Sequence, residues 1–152
     1  MRSVKLKSAL IPILFLLLAG CSSSDTVARV KSPSGRVEAI LDETNGGATT
    51  SFGYVVSLKA TSAPATEVIR VANAYGAVRS DRAYGVNLVW VNEHILEIQY
   101  LEARWAKVER AKVLIDGVWI TIRLKSGVRD ETAPAGGMLD NIEQRQAARA
   151  FS

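Results

Sequence analysis

Apolar and polar positions alternate through the middle of this chain with a period of two residues. In RVEAILDE, residues 36–43, Val37, Ala39 and Leu41 share one parity while Glu38 and Asp42 share the other. That is the pattern of a strand with one buried face. YVVSLKA, residues 54–60, repeats it with Tyr54, Val56, Leu58 and Ala60 on the apolar face. VARVK (27–31) and EVIRVAN (67–73) predict further short strands. The first of them runs into Ser32-Pro33-Ser34-Gly35, a turn in which Pro sets φ and Gly closes the bend.

Residues 86–101, VNLVWVNEHILEIQYL, predict a hairpin in which Leu88 and Trp90 lead into Asn92-Glu93-His94 and Leu96, Ile98 and Tyr100 return. The clearest element is ERAKVLIDGVWITIRL, residues 109–124. Asp116-Gly117 suits a two-residue turn that needs φ > 0 at both positions. Its register sets Ile115 opposite Val118, Val113 opposite Ile120 and Ala111 opposite Ile122 on an apolar face. Leu114 with Trp119, Lys112 with Thr121 and Arg110 with Arg123 fall on the other face. About eight short strands, with no helical pattern before residue 138, predict one antiparallel all-β domain. Sandwich and curled meander or partial barrel both fit. Asp140 and Glu143 stand at capping-box spacing in a short terminal helix.

The first residues change the picture of the whole chain. Arg2, Lys5 and Lys7 precede the apolar run SALIPILFLLLAG, which ends at Cys21. A positive segment, a short apolar segment and small residues before a cut make a secretory signal. The run contains Pro12 and falls short of the roughly 20 residues a spanning helix needs. Leu18-Ala19-Gly20-Cys21 resembles the lipobox of bacterial lipoproteins. The resemblance implies cleavage before Cys21, a diacylglyceryl thioether on its sulfur and acylation of the new amino terminus. Two or more acyl chains anchor a protein stably. It also implies a place in the cell envelope, and Ser22, where an aspartate favours inner-membrane retention, favours an outer membrane with the domain facing the periplasm. The chain thus divides into a signal (1–20), lipidated Cys21 with a polar tether (21–26), a β-domain (27–126) and a link with a short helix (127–152).

Charge looks different once the signal is removed. The whole chain carries a formal +4, but three of its 19 basic residues leave with the signal, against 15 acidic residues that stay. The mature chain of about 131 residues is long enough for one core. A net charge of about +1 gives no footprint for nucleic acid. Cys21 is the only cysteine, so neither a disulfide framework nor a cysteine metal site is available.

Two stretches hold the candidate binding chemistry. In Asn45-Gly46-Gly47-Ala48-Thr49-Thr50-Ser51-Phe52-Gly53, the glycines permit a backbone nest for an anion. Thr49, Thr50 and Ser51 add hydroxyls, and Phe52 offers a flat apolar surface. The bland alternative is a wide hairpin connection whose hydroxyls satisfy their own backbone while Phe52 plugs one end of the core. In EARWAKVERAK, residues 102–112, Trp105 is either an interface anchor or a core residue beneath long basic side chains; the pattern favours the core. His94 beside Glu93 and near Glu97 reads as a solvated turn more readily than as a metal site. No catalytic order of residues occurs, and no cofactor is implied.

SPSGRVEAIL resembles the Ser-Pro-Asp-Gly segment that opens propeller blades, with Ser34 in place of aspartate. Together with NGGATTSFGYVVSL it also resembles small bacterial envelope proteins with a Ser-Pro-Asp-Gly turn followed by Gly-Ala-Thr-Thr. That likeness covers residues 32–58, with a weaker echo over 86–101, and brings no assigned activity. The expected function is a lipid-anchored module that binds another envelope protein. A small-molecule or glycan binder using the 45–53 loop comes second, and a hydrolase with an unrecognised site last.

Overall fold

A computed structural model describes residues 23–47, 49–80 and 83–129. The expected signal, Cys21 and the expected terminal helix lie outside the described residues. What is described is all-β: two sheets that are not closed into a barrel, plus a short ribbon. β1 (Ser23–Lys31), β2 (Val37–Asn45), β3 (Gly53–Ala60), β4 (Ile69–Tyr75) and β9 (Trp105–Val108) form a five-stranded antiparallel sheet in that order. β10 (Lys112–Ile115), β11 (Val118–Lys125), β8 (Ile95–Gln99) and β7 (Asn87–Asn92) form a four-stranded sheet. β5 (Arg79–Ser80) and β6 (Ala83–Tyr84) pair as the ribbon.

The apolar parity does the work of assembly. Val37, Ala39 and Leu41 from β2, and Tyr54, Val56 and Leu58 from β3, are buried against Leu96, Ile98, Val113, Ile115, Ile120 and Ile122 of the other sheet in one core. The Asp116-Gly117 turn has φ of 48° and 75°. The pairs Ile115–Val118, Val113–Ile120, Leu114–Trp119 and Lys112–Thr121 follow from it. A bulge opposite the Val56/Ser57 step puts one extra residue into β4, so Val71 and Ala72 both turn inward. The Trp90 indole donates to the Val30 carbonyl at 3.0 Å and ties β7 to β1.

Two expectations need correction. β11 lies parallel to β8, with Thr121 opposite Ile95 and Lys125 opposite Gln99, so the domain is not antiparallel throughout. After β8 the chain crosses to the other sheet as β9 and comes back as β10. The hairpin then delivers β11 against β8 from the same end, and parallel pairs require such a crossover. The polar tether expected over 22–26 is also shorter than the pattern suggests. β1 begins at Ser23, and Ser24, Asp25 and Thr26 pair with Thr44, Glu43 and Asp42. Polar residues there are no bar to a strand, because this is an edge whose outer side faces solvent.

The two ends of the domain differ. At one end gather the turns at 32–35, 92–94 and 116–117. Ser34 donates to the Glu93 carboxylate from its N–H at 2.9 Å and from its hydroxyl at 2.5 Å. Arg36 pairs with Asp116 at 2.9 Å. The Ser34 hydroxyl and N–H together hold the Glu93 carboxyl below its ordinary range. At the opposite end lie the start of β1, the 45–53 loop, the end of β4 and the start of β9.

Candidate interaction surfaces

The 45–53 loop spends much of its polarity on itself. Asn45 Oδ1 accepts from the Gly47 N–H at 2.9 Å. Gly47, at φ 101°, accepts at its carbonyl from the Thr50 N–H at 3.1 Å and the Thr50 hydroxyl at 3.0 Å. A Cβ on Gly46 would come within 2.8 Å of that hydroxyl oxygen, so a larger residue there would displace the Thr50 side chain. Thr49 is exposed. The Ser51 N–H donates to the Tyr75 hydroxyl at 3.0 Å. Phe52 packs against the core and is capped by the Arg79 guanidinium, 3.4 Å from its ring centroid.

Trp105 is not a core residue. It is 50% exposed, because the inward parity of β9 belongs to Ala106 and Val108. The fold nevertheless joins it to the loop. Ser24, Thr44, Gly53, Tyr75 and Trp105 stand opposite one another in one row across all five strands. Tyr75 stacks on Trp105 with centroids 6.0 Å apart and 21° between planes. Gly53 pairs with Tyr75, whose hydroxyl reaches back to Ser51, and Arg104 lies over the Tyr75 ring at 5.8 Å. Asn45, Gly46, Gly47, Thr50, Ser51 and Phe52 thus share one end of the domain with Trp105, and Tyr75 and Arg104 connect them. Only the topology brings Tyr75 into this group.

A second surface was missed by sequence reasoning. On the outer side of the β10–β11 hairpin, Leu114 and Trp119 stand directly opposite each other, 51% and 60% exposed. Two shallow concavities flank them. One, of about 510 Å³, is lined by His94, Lys112, Trp119 and Thr121. The other, of about 280 Å³, runs from Lys59 and Glu67 past Val68 to Leu114. His94 Nδ1 lies 3.1 Å from the Trp119 carbonyl oxygen, which fixes the imidazole at the rim. The signal for this face was the hairpin register itself, which puts Leu114 and Trp119 opposite the core.

Between the sheets, at the loop end, β2's inward parity continues to Glu43. Glu43 is buried, and its carboxylate faces Arg79 Nη1 at 3.3 and 3.4 Å. Burial raises the Glu43 carboxyl above its ordinary value, and Arg79 pulls against that shift. Burial and the adjacent Glu43 charge push the neighbouring Tyr54 phenol well up. Buried Gly85, at φ 98°, has no room for a Cβ, which would sit 2.5 Å from the Tyr54 hydroxyl oxygen.

Glu93 and Glu97 do not converge with His94 on a common point. Glu93 is held by Ser34, while Glu97 accepts from Gln99 at 2.8 Å and lies 3.3 Å from Lys125. Among the described residues no three potential ligands gather around a metal-sized space. Known protein families, curated proteins and solved structures give no match to this chain.

Proposed function

We propose that this chain is a lipid-anchored envelope domain, held at Cys21, that binds another envelope protein through the outer face of the β10–β11 hairpin. The observation that carries the reading is the pair Leu114 and Trp119, set opposite each other and more than half exposed. Tryptophan is prominent among the residues that dominate binding energy. Lys59, Glu67, Lys112 and His94 around the pair supply the polar rim of an interface. Anchoring adds to such a contact by confining both partners to one membrane surface, which raises their effective concentration. The 45–53 loop supports a small-molecule or glycan site less well, since Asn45 Oδ1 and the Thr50 hydroxyl are already bonded within the loop.

A photo-crosslinking residue at Trp119 in the full-length chain, in its own envelope, tests the reading, with the same residue at exposed Lys107 on the opposite sheet as control. A specific protein adduct from position 119 alone is expected. No adduct from a folded and anchored protein, or the same adduct from both positions, refutes it.

A further inference from the structure

The short reach between Cys21 and β1 decides which end of the domain meets the membrane. β1 is in register from Ser23, which pairs with Asn45. Two residues of chain span at most about 7 Å. A lipid on Cys21 therefore holds Ser23, and with it the 45–53 end of the sheet, at the headgroups. We propose that this end is a membrane-docking surface, in which Trp105, Tyr75 and Arg104 settle into the lipid headgroup layer; the inference rests on the lipidation of Cys21.

The row Ser24–Thr44–Gly53–Tyr75–Trp105 crosses the sheet one position in from the first residue of β1. Four strand spacings put Trp105 about 19 Å from Ser24 along that row. With the strands upright, the row stands at one height above the bilayer. The headgroup layer is about 5–8 Å deep on each side, comparable to the tether, so the row lies at its surface. A lean toward the β9 edge brings Trp105 into it. The side chains found there suit such a layer. Tryptophan and tyrosine favour the membrane interface, with an apolar body and a polar edge. Arg104, exposed beside them and stacked over Tyr75, is placed for a lipid phosphate. Exposed Arg129 and Lys125 share this end, where Gly127 and Val128 bond back to Leu101 and Tyr100; Lys125 is paired with Glu97 at 3.3 Å, and Glu102 and Asp25 are further acidic groups nearby. The Trp105 side chain needs no rearrangement to be available, being half exposed already. The 116–117 turn and Trp119 are at the other end, so the proposed protein-binding face stays clear of the bilayer.

The test uses the full-length chain purified from membranes and reconstituted into vesicles of phosphatidylcholine and phosphatidylglycerol, plain or with acyl chains brominated close to the headgroup. Flotation with the vesicles, and the mass added at Cys21, are measured first. Bromine quenches tryptophan only at short range. The expected result is at least a twofold quenching of the Trp105 emission, taken as the difference between the parent and Trp105→Phe. Trp119→Phe leaves the quenching unchanged. Arg104→Glu, which keeps the tryptophan in place, lowers it. A protein that floats with its lipid attached but shows no Trp105 quenching overturns the docking surface and leaves the anchor standing; the aromatic row then faces water or a protein. A protein without added mass that fails to float removes the anchor, and the docking surface with it.

Discussion

Replacing Arg79 with methionine is the most informative single change in the core. Methionine retains apolar cover over Phe52 while removing the charge opposite Glu43. The side chains of Glu43 and Arg79 are 7% and 17% exposed, so water does little to screen the loss. Removing one partner of a buried pair costs about 3–5 kcal/mol. The Nη1–oxygen separations of 3.3 and 3.4 Å are long for a charge-assisted bond, which places this pair at the lower end, about 3 kcal/mol. The cost depends on pH. Burial holds the folded-state carboxyl of Glu43 above its unfolded value, so the folded protein binds more protons between the two, and stability falls as pH rises through that window. Without Arg79 the carboxyl moves higher still and the window extends upward. The full penalty therefore appears at a pH above that window, where Glu43 is ionised in both states, and shrinks at a lower pH within it, where Glu43 folds as the neutral acid. Urea unfolding followed by tryptophan fluorescence reads this out directly. With an m-value of about 1–2 kcal/mol per M, the midpoint drops by about 1.5–3 M at the higher pH. Adding Glu43→Gln restores much of the loss. A drop below about 0.5 M that is the same at both pH values refutes the buried pair.

Two further perturbations probe the far end. Ser34→Asp sets a carboxylate against Glu93 in place of the hydroxyl that now donates to it. The Glu93 carboxyl should rise from its lowered position, as followed by carbon-detected NMR titration; in the parent its contribution is present at neutral pH and lost as pH falls through its folded value. Gly117→Ala places a Cβ at φ 75° in open space, so the cost is backbone strain alone, about 1–2 kcal/mol in urea unfolding; a neutral result means that the turn has changed type.

What could be read from the chain was what neighbouring residues decide. Asp116-Gly117 set its own turn, and that turn set the register of four pairs on either side of it. Parity went further than its reading. The positions of Val37, Ala39 and Leu41 continue to Glu43, but a carboxylate looks like surface until Arg79 is brought to it from β5. Trp105 was misplaced because EARWAKVERAK puts charges on both parities, leaving only the small side chains of Ala106 and Val108 to mark the inner face. The β8–β11 parallel pair depends on β9 joining the opposite sheet, a choice that no local pattern contains. The loop and Trp105 looked like separate candidates for the same reason, since Tyr75 connects them only after β3, β4 and β9 are side by side. That placement changes what the loop's neighbourhood can do. A long tether would leave every face free to meet a partner, whereas a strand that starts at Ser23 leaves a lipidated Cys21 almost no slack. A domain held that closely can offer a protein partner only the surfaces away from its tied end. On the proposed arrangement the two exposed tryptophans would divide the work, Trp105 toward the lipid and Trp119 toward the partner.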